Sequence, residues 1–290
     1  MARIEIPFRV SHLRTEARSF EAVADLHAAL AVHSDSELII NCERLVWFDA
    51  HLAAPFMTVV RHAKAKRNSI QLYKLPENVR LILRKNEMLR EKADDSYHTT
   101  IPVRSFRLDE ELDFSKYSKL HLRRKEMPRM SAALRGKFFE GIDEIFANCA
   151  LHSQSPIDIV AAGQFFPRNE RLLFAVSDGG RGVDGSLRAA GQGDLSPEEA
   201  IDWAMRSNNT TRLGDIPGGL GLKLIREFVR MNKGRLIVVS SAGFWSQAAD
   251  AVVKMRLRAP FPGTAVVMEI VTSDRYAYDL KGSPDPQNIW

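Results

Sequence analysis
Three short clusters in the second half of this 290-residue chain hold residue types able to do chemistry. Glu144, Asn148 and His152 are spaced four apart, so a helix would align them along one polar face. A carboxylate beside a carboxamide on such a face can hold a hydrated Mg²⁺ and activate a water, although a plain solvated face has the same pattern. Asp178 is followed by Gly179, Gly180, Arg181 and Gly182, directly after the apolar run RLLFAVS. A carboxylate there can accept from an exocyclic amine such as adenine carries, with glycines letting a flat ligand approach the backbone. A tight turn after a strand would look the same. Gly218, Gly219 and Gly221 open the helical pattern LKLIREFV, where bare N–H groups and the helix dipole favour phosphate. No GK[ST] follows, so this is not a Walker loop, and the first-strand context of a dinucleotide fingerprint is missing.

Periodicity supplies the elements that must position these clusters. Residues 131–151 form a strong helical pattern with Phe138, Ile142, Ile145, Phe146 and Cys149 on the apolar side. IDIVAAGQFF and RLLFAVSD read as two long strands joined by a polar turn at Pro167 to Glu170. PEEAIDWAM is a short helical piece within the polar stretch 183–217, and RLIVVSS, VVKMRLR and TAVVMEIV read as three further strands. In the front half, RIEIPFRV, ELIINCERLVWF and SIQLYKL read as strands. Residues 20–31, Ala50 to Lys66 and Asn78 to Lys85 read as helices, giving a small α/β sandwich. Residues 92–130 are polar and charged, part linker and part connecting helix, and the tail after Asp274 is polar and loosely held.

Taken in order, the Glu/Asn helix, the strand ending in DxGxG, the variable polar stretch, the GGLGL helix start and Gly263–Thr264 before a strand resemble one family. It is the histidine kinase-like ATP-binding fold shared by gyrase, heat-shock chaperones, histidine kinases and mismatch-repair ATPases, and the resemblance spans residues 131–272. It implies an α/β (α+β) fold with a two-layer sandwich ATP-binding domain of the Bergerat type, and ATP with Mg²⁺ as cofactors. It assigns Asn148 to Mg²⁺ and Glu144 to polarising the attacking water or hydroxyl. Asp178 would accept the adenine amine, Gly180 and Gly182 would let the base lie close, and Thr264 would add a water-mediated contact. Gly218, Gly219 and Gly221 would cradle the phosphates. Val183 to Pro217 would be a mobile lid whose Asn208, Asn209, Thr210, Thr211 and Arg212 reach them. His152 is either a phosphate neighbour or a structural histidine.

The front half, through ELIINCERLVWFDAHLAAPF, SIQLYKL and NVRLILRKN, resembles a STAS domain, the small α/β module of sulfate transporters and anti-sigma-factor antagonists. Regulatory members carry a phosphorylatable Ser after the Asp; here Ala50 follows Asp49, which argues against a self-contained phosphoswitch. His51 reads as a surface residue at a helix start. The division expected is a STAS-like domain over 1–105, a connector over 106–130, the ATPase domain over 131–274 and a polar tail over 275–290.

The function implied is an ATP-binding regulatory protein, a slow Mg²⁺-dependent ATPase acting as a nucleotide-gated switch on a protein partner. An anti-sigma-type serine kinase acting in trans and a non-hydrolysing ATP-binding scaffold are the alternatives. His121 lies only 23 positions before Glu144, too near for the second helix of a phosphoacceptor hairpin. A homodimer is implied by the resemblance alone. Composition narrows the rest: 45% hydrophobic and 27% charged residues exclude global disorder, no apolar run suits a membrane span, and two cysteines cannot form a disulfide framework. No secretory signal is visible, so the expected compartment is the cytoplasm. The net charge of +5 is dispersed over the first 130 residues, which hold 23 Lys/Arg and 18 Asp/Glu, and does not point to nucleic acid.

Overall fold
Short apolar runs joined through helices pair in parallel, because a crossover helix returns the chain in the same direction. The computed structural model describes residues 2–124, 126–206, 220–274 and 276–278. Its front half runs β1 (Arg3–Pro7), β2 (His12–Leu13), α1 (Ala17–Ala31), β3 (Glu37–Asn41), β4 (Trp47–Phe48), α2 (Ala53–Ala65), β5 (Ser69–Tyr73) and α3 (Glu77–Lys85). Strands β1, β3 and β5 form a parallel sheet in that order, with Ile4 opposite Leu38 and Leu38 opposite Ile70. The run expected as one strand from Glu37 is two, since the chain turns after Cys42 and β4 leaves to pair with β2.

The chain continues through β6 (Thr100–Phe106), α4 (Glu111–Leu122), β7 (Arg129–Met130), α5 (Ala132–His152), β8 (Ile159–Phe166) and β9 (Arg171–Asp178). It ends with α6 (Gly182–Ala189), α7 (Pro197–Ala204), α8 (Leu220–Met231), β10 (Arg235–Ala248), β11 (Ala251–Val271) and β12 (Ala277–Tyr278). A five-stranded antiparallel sheet has the order β10-β11-β9-β8-β6. The molecule is thus a mixed α/β protein.

Strands β8 and β9 are buried on both faces, which the period-2 alternation of side chains explains. Ile159, Ala161, Leu172, Phe174 and Val176 join a core with Phe138, Ile142 and Phe146 of α5, Phe114 of α4 and Phe228 of α8. Their alternates Val160, Ala162, Leu173 and Ala175 join a second core with Phe20 and Val23 of α1, Phe56 and Val59 of α2, and Leu38 and Ile40 of the small sheet. Helices α1 and α2 therefore lie between the two sheets, giving four layers. Helix α2 buries Ala53, Ala54, Pro55, Phe56, Thr58, Val59, Val60 and Ala63. Each large apolar side chain so buried contributes about 1.5–3 kcal/mol.

Polar contacts fix the register between the halves. Thr58 Oγ1 donates to Ser177 Oγ at 2.9 Å, the Ala50 N–H to Gln164 Oε1 at 2.5 Å, and Arg61 pairs with Asp158 at 2.8 Å. Strand β6, which crosses position 105, is the edge strand beside β8, and α4 stacks Phe114 on Phe146 with ring centroids 4.6 Å apart. The runs VVKMRLR and TAVVMEIV form one strand, β11, whose pairing with β10 slips between Ser240 and Gly243. Pro260 and Pro262 fall where the ladder is irregular and fewer N–H donors are needed. The tail expected to be loose contributes β12, parallel to β7, and Tyr278 is buried against Phe228. Among the described residues no helix is long and apolar enough to cross a membrane.

Candidate functional site
The Glu/Asn helix is α5, whose start is fixed by Ser131, the hydroxyl of which accepts from the Leu134 N–H at 3.2 Å. Its apolar face enters the core, leaving Glu144, Asn148 and His152 half-buried along the other side. Strand β9 ends at Asp178, and antiparallel pairing with β11 places Thr264 directly opposite it. Strand β10 adds Ser240 opposite Thr264, with the two hydroxyl oxygens 2.9 Å apart. Three strands thus align Asp178, Thr264 and Ser240 in one polar row.

Asp178 and Thr264 of this row border a cavity of about 180 Å³, more than the roughly 150 Å³ that accepts a benzene ring in an engineered protein. Ile145, Asn148, Cys149 and His152 of α5 form one wall, with Asp178, Thr264, Val238 and Val266 from the sheet. Gly182, Val183, Ser186 and Leu187 of α6 and Leu222 of α8 close further sides. Helix α7 supplies Ile201, Trp203 and Ala204, and Met205 follows at its C-terminal end. The cavity is mostly apolar, with few convergent polar groups, as small-molecule sites are.

Asp178 is 2% exposed. Burial pushes its carboxyl up to about 6, opposed by donation from the Gly180 N–H, the Cys149 thiol and the Thr264 N–H. The Gly180 bond is 2.8 Å long. Burial also raises the Cys149 thiol well above its ordinary range, with the Asp178 charge adding to it. Near neutral pH Asp178 is an ionised acceptor in an apolar pocket, suited to an amino group on a flat ring.

Asn148, His152, Asp178, Gly182 and Thr264 all border this cavity. Glu144 does not: it lies one turn before Asn148 on α5. Gly180 is not among the lining residues; a Cβ there would lie 2.1 Å from the Ser153 carbonyl oxygen, so its lack of side chain lets the DxGxG turn pack on the end of α5. Gly182 has φ +75° and begins α6. Gly221 falls in the first turn of α8. Thr210, Thr211, Gly218 and Gly219 lie outside the described residues, as do Asn208, Asn209 and Arg212. The described part of the expected lid, up to Arg206, holds α6 and α7, which are walls of the cavity.

Sequence reasoning missed Ser240, Cys149 and Trp203. Ser240 ends an apolar run and gains meaning only from cross-strand register. Cys149 follows the helical period of the core, and Trp203 sits in a helix whose placement the pattern did not fix.

Among the described residues no three His, Cys, Asp or Glu side chains are grouped to hold a metal. A Mg²⁺ that keeps most of its waters and takes phosphate oxygens needs only one or two protein ligands. The Asn148 carboxamide at the cavity wall fits that requirement.

In the front half, His51 is fully buried rather than on the surface. It sits in the 3-10 turn before α2, covered by the C-terminal half, where its ring lies 6.4 Å from that of Phe166. Its Nε2 lies 2.8 Å from Thr15 Oγ1, which donates to Asp49 Oδ2 at 2.9 Å. Burial pushes His51 down to about 4, against the pull of Asp49, so it is neutral at physiological pH. His121 is half-buried on α4 with its ring edge-on to Tyr117, 4.8 Å away.

The sequence matches no known protein-family model and no curated protein.

Proposed function
We propose that this chain is an ATP-binding regulatory protein built on a histidine kinase-like ATPase fold, with a STAS-like domain ahead of it. One observation carries the reading. Residues 116 positions apart in sequence, Asn148 to Thr264, border one cavity with Asp178, as a single nucleotide site built from these motifs would require. Asp178 would accept the adenine amine, with Thr264 beside it. Asn148 would hold Mg²⁺, whose chemistry is to neutralise phosphate charge, and the first turn of α8, whose Leu222 lines the cavity, would offer N–H groups to the phosphates. Glu144, one turn from Asn148, would activate a water, making the protein a slow ATPase and a nucleotide-gated switch.

Incubation with γ-labelled ATP and Mg²⁺, alone and with cell extract, tests this. Label released as phosphate supports the ATPase. Transfer of label to another protein supports the trans-acting serine kinase instead. The position of Glu144 outside the cavity wall favours a second reading, a non-hydrolysing scaffold, which retained ATP without phosphate release would establish. Absence of ATP binding by calorimetry would refute all three.

A further inference from the structure
We propose that Trp203 of α7 covers the flat base of the bound nucleotide and supplies its main stacking surface. The inference rests on the nucleotide reading above and assigns the base a residue outside the motifs that suggested it.

Around Asp178 the sheet offers Val238 and Val266, and α5 offers Ile145 and the smaller imidazole ring of His152. Trp203 is the largest aromatic side chain among the described lining residues, and it comes from a different element. A ring whose amine reaches Asp178 has its faces turned toward the walls, where an indole gains most by stacking.

A stacking residue is useful only if its helix is held, and α7 is held at several points. Ser196 and Glu199 form a capping box at its start, with Pro197 in the first turn. The β10 backbone comes so close that a Cβ on Gly243 would lie 2.6 Å from the Pro197 carbonyl carbon. Asp202 accepts from Trp245 Nε1 at 3.1 Å, from Arg206 at 2.8 Å and from Lys254 at 3.2 Å. Arg226 of α8 lies over the Trp245 ring and donates to the Met205 carbonyl at the end of α7. These anchors all lie on described elements and hold α7 at the cavity.

The test compares adenosine and Mg²⁺-ATP binding, by calorimetry and by tryptophan fluorescence, in the full-length wild type and in Trp203→Phe, Trp203→Leu and Trp203→Ala. Base stacking lost on truncation corresponds to a weakening of about tenfold or more. The expected result is an equal proportional weakening for adenosine and ATP in the Leu and Ala variants, with Trp203→Phe close to wild type. Ligand-induced change in emission should vanish in Trp203→Phe although Trp47, Trp245 and Trp290 remain. Unchanged affinity in both truncated variants overturns the proposal, as does a loss confined to ATP. Should Trp203→Ala fail to fold, Trp203→Leu decides, because it keeps an apolar side chain at the position without a π face. Wild type that binds neither ligand overturns the nucleotide reading, and this inference with it.

Discussion

Asp178 and Thr264 face each other across the β9–β11 pair, and the Thr264 backbone N–H donates to the Asp178 carboxylate. The Asp178 carboxylate is therefore held by the ladder as well as by the Gly180 N–H of the turn that follows β9. Gly263, which precedes Thr264 in β11, is equally constrained, since its φ is +108° and a Cβ there would lie 2.3 Å from the Asp178 carbonyl oxygen.

Asp178→Asn should abolish ATP binding while stabilising the ligand-free protein at pH 7. The folded carboxyl takes up its proton at about 6 against 3.8 for the ordinary group, so between those values the native state holds more protons than the unfolded chain. Stability is then highest below about pH 4 and falls as pH rises through 6. Removing the ionisable group removes that fall, a gain on the order of 2–3 kcal/mol at pH 7. Urea denaturation at pH 4 and pH 7 checks it: the wild type should lose stability between them relative to the variant.

The affinity for ATP should be level above about pH 7 and drop below pH 6, approaching tenfold per unit, as protonation of Asp178 removes the acceptor. Calorimetric titration from pH 5 to 8 measures it. A flat profile would mean that Asp178 does not meet the ligand's amine.

Gly263→Ala should destabilise the fold by about 2–4 kcal/mol, combining a left-handed backbone with a backbone overlap. Gly191→Ala, also at positive φ (73°) but in open space, should cost about 1 kcal/mol. Denaturant midpoints of the two variants give the comparison directly.

Glu144→Ala should leave ATP affinity near wild type, since the side chain is not part of the cavity wall. Phosphate release should fall by about 10²–10⁴ if this carboxylate acts as general base. Paired measurements of binding and turnover separate the two.

A fragment of residues 131–274 should fail to fold as a soluble monomer. It lacks the edge strand β6 and exposes Val160, Ala162, Leu173, Ala175, Val239 and Val267, which the front half covers. Strong dye binding and aggregation are expected, whereas a well-dispersed amide spectrum would show that α1 and α2 are dispensable for that sheet.

Much of the architecture was legible because its elements are strongly periodic: the apolar stripe of α5, the runs of β8 and β9 and the capped start of α7 all announce themselves in one dimension. The contact between the halves did not, because an apolar residue on a strand does not say which layer covers it. Val160 and Ile159 look alike in sequence yet enter different cores. His51 was misplaced for the same reason, as nothing local to a helix start reveals that β8 lies over it. Within the site, the motif glycines and acids were visible by type, whereas Ser240 meets Thr264 only through strand register and Trp203 reaches the cavity only through helix docking.

The placement of α2 between two sheets has a mechanical consequence. A helix wetted on neither broad side offers no cleavage plane along which the lobes could swing apart without uncovering both interiors. Any message passing from the Asp178 end of β9 to the outer sheet must therefore travel as a small slide or rotation of close-packed layers, with Ser177 and Thr58 at the point of transmission.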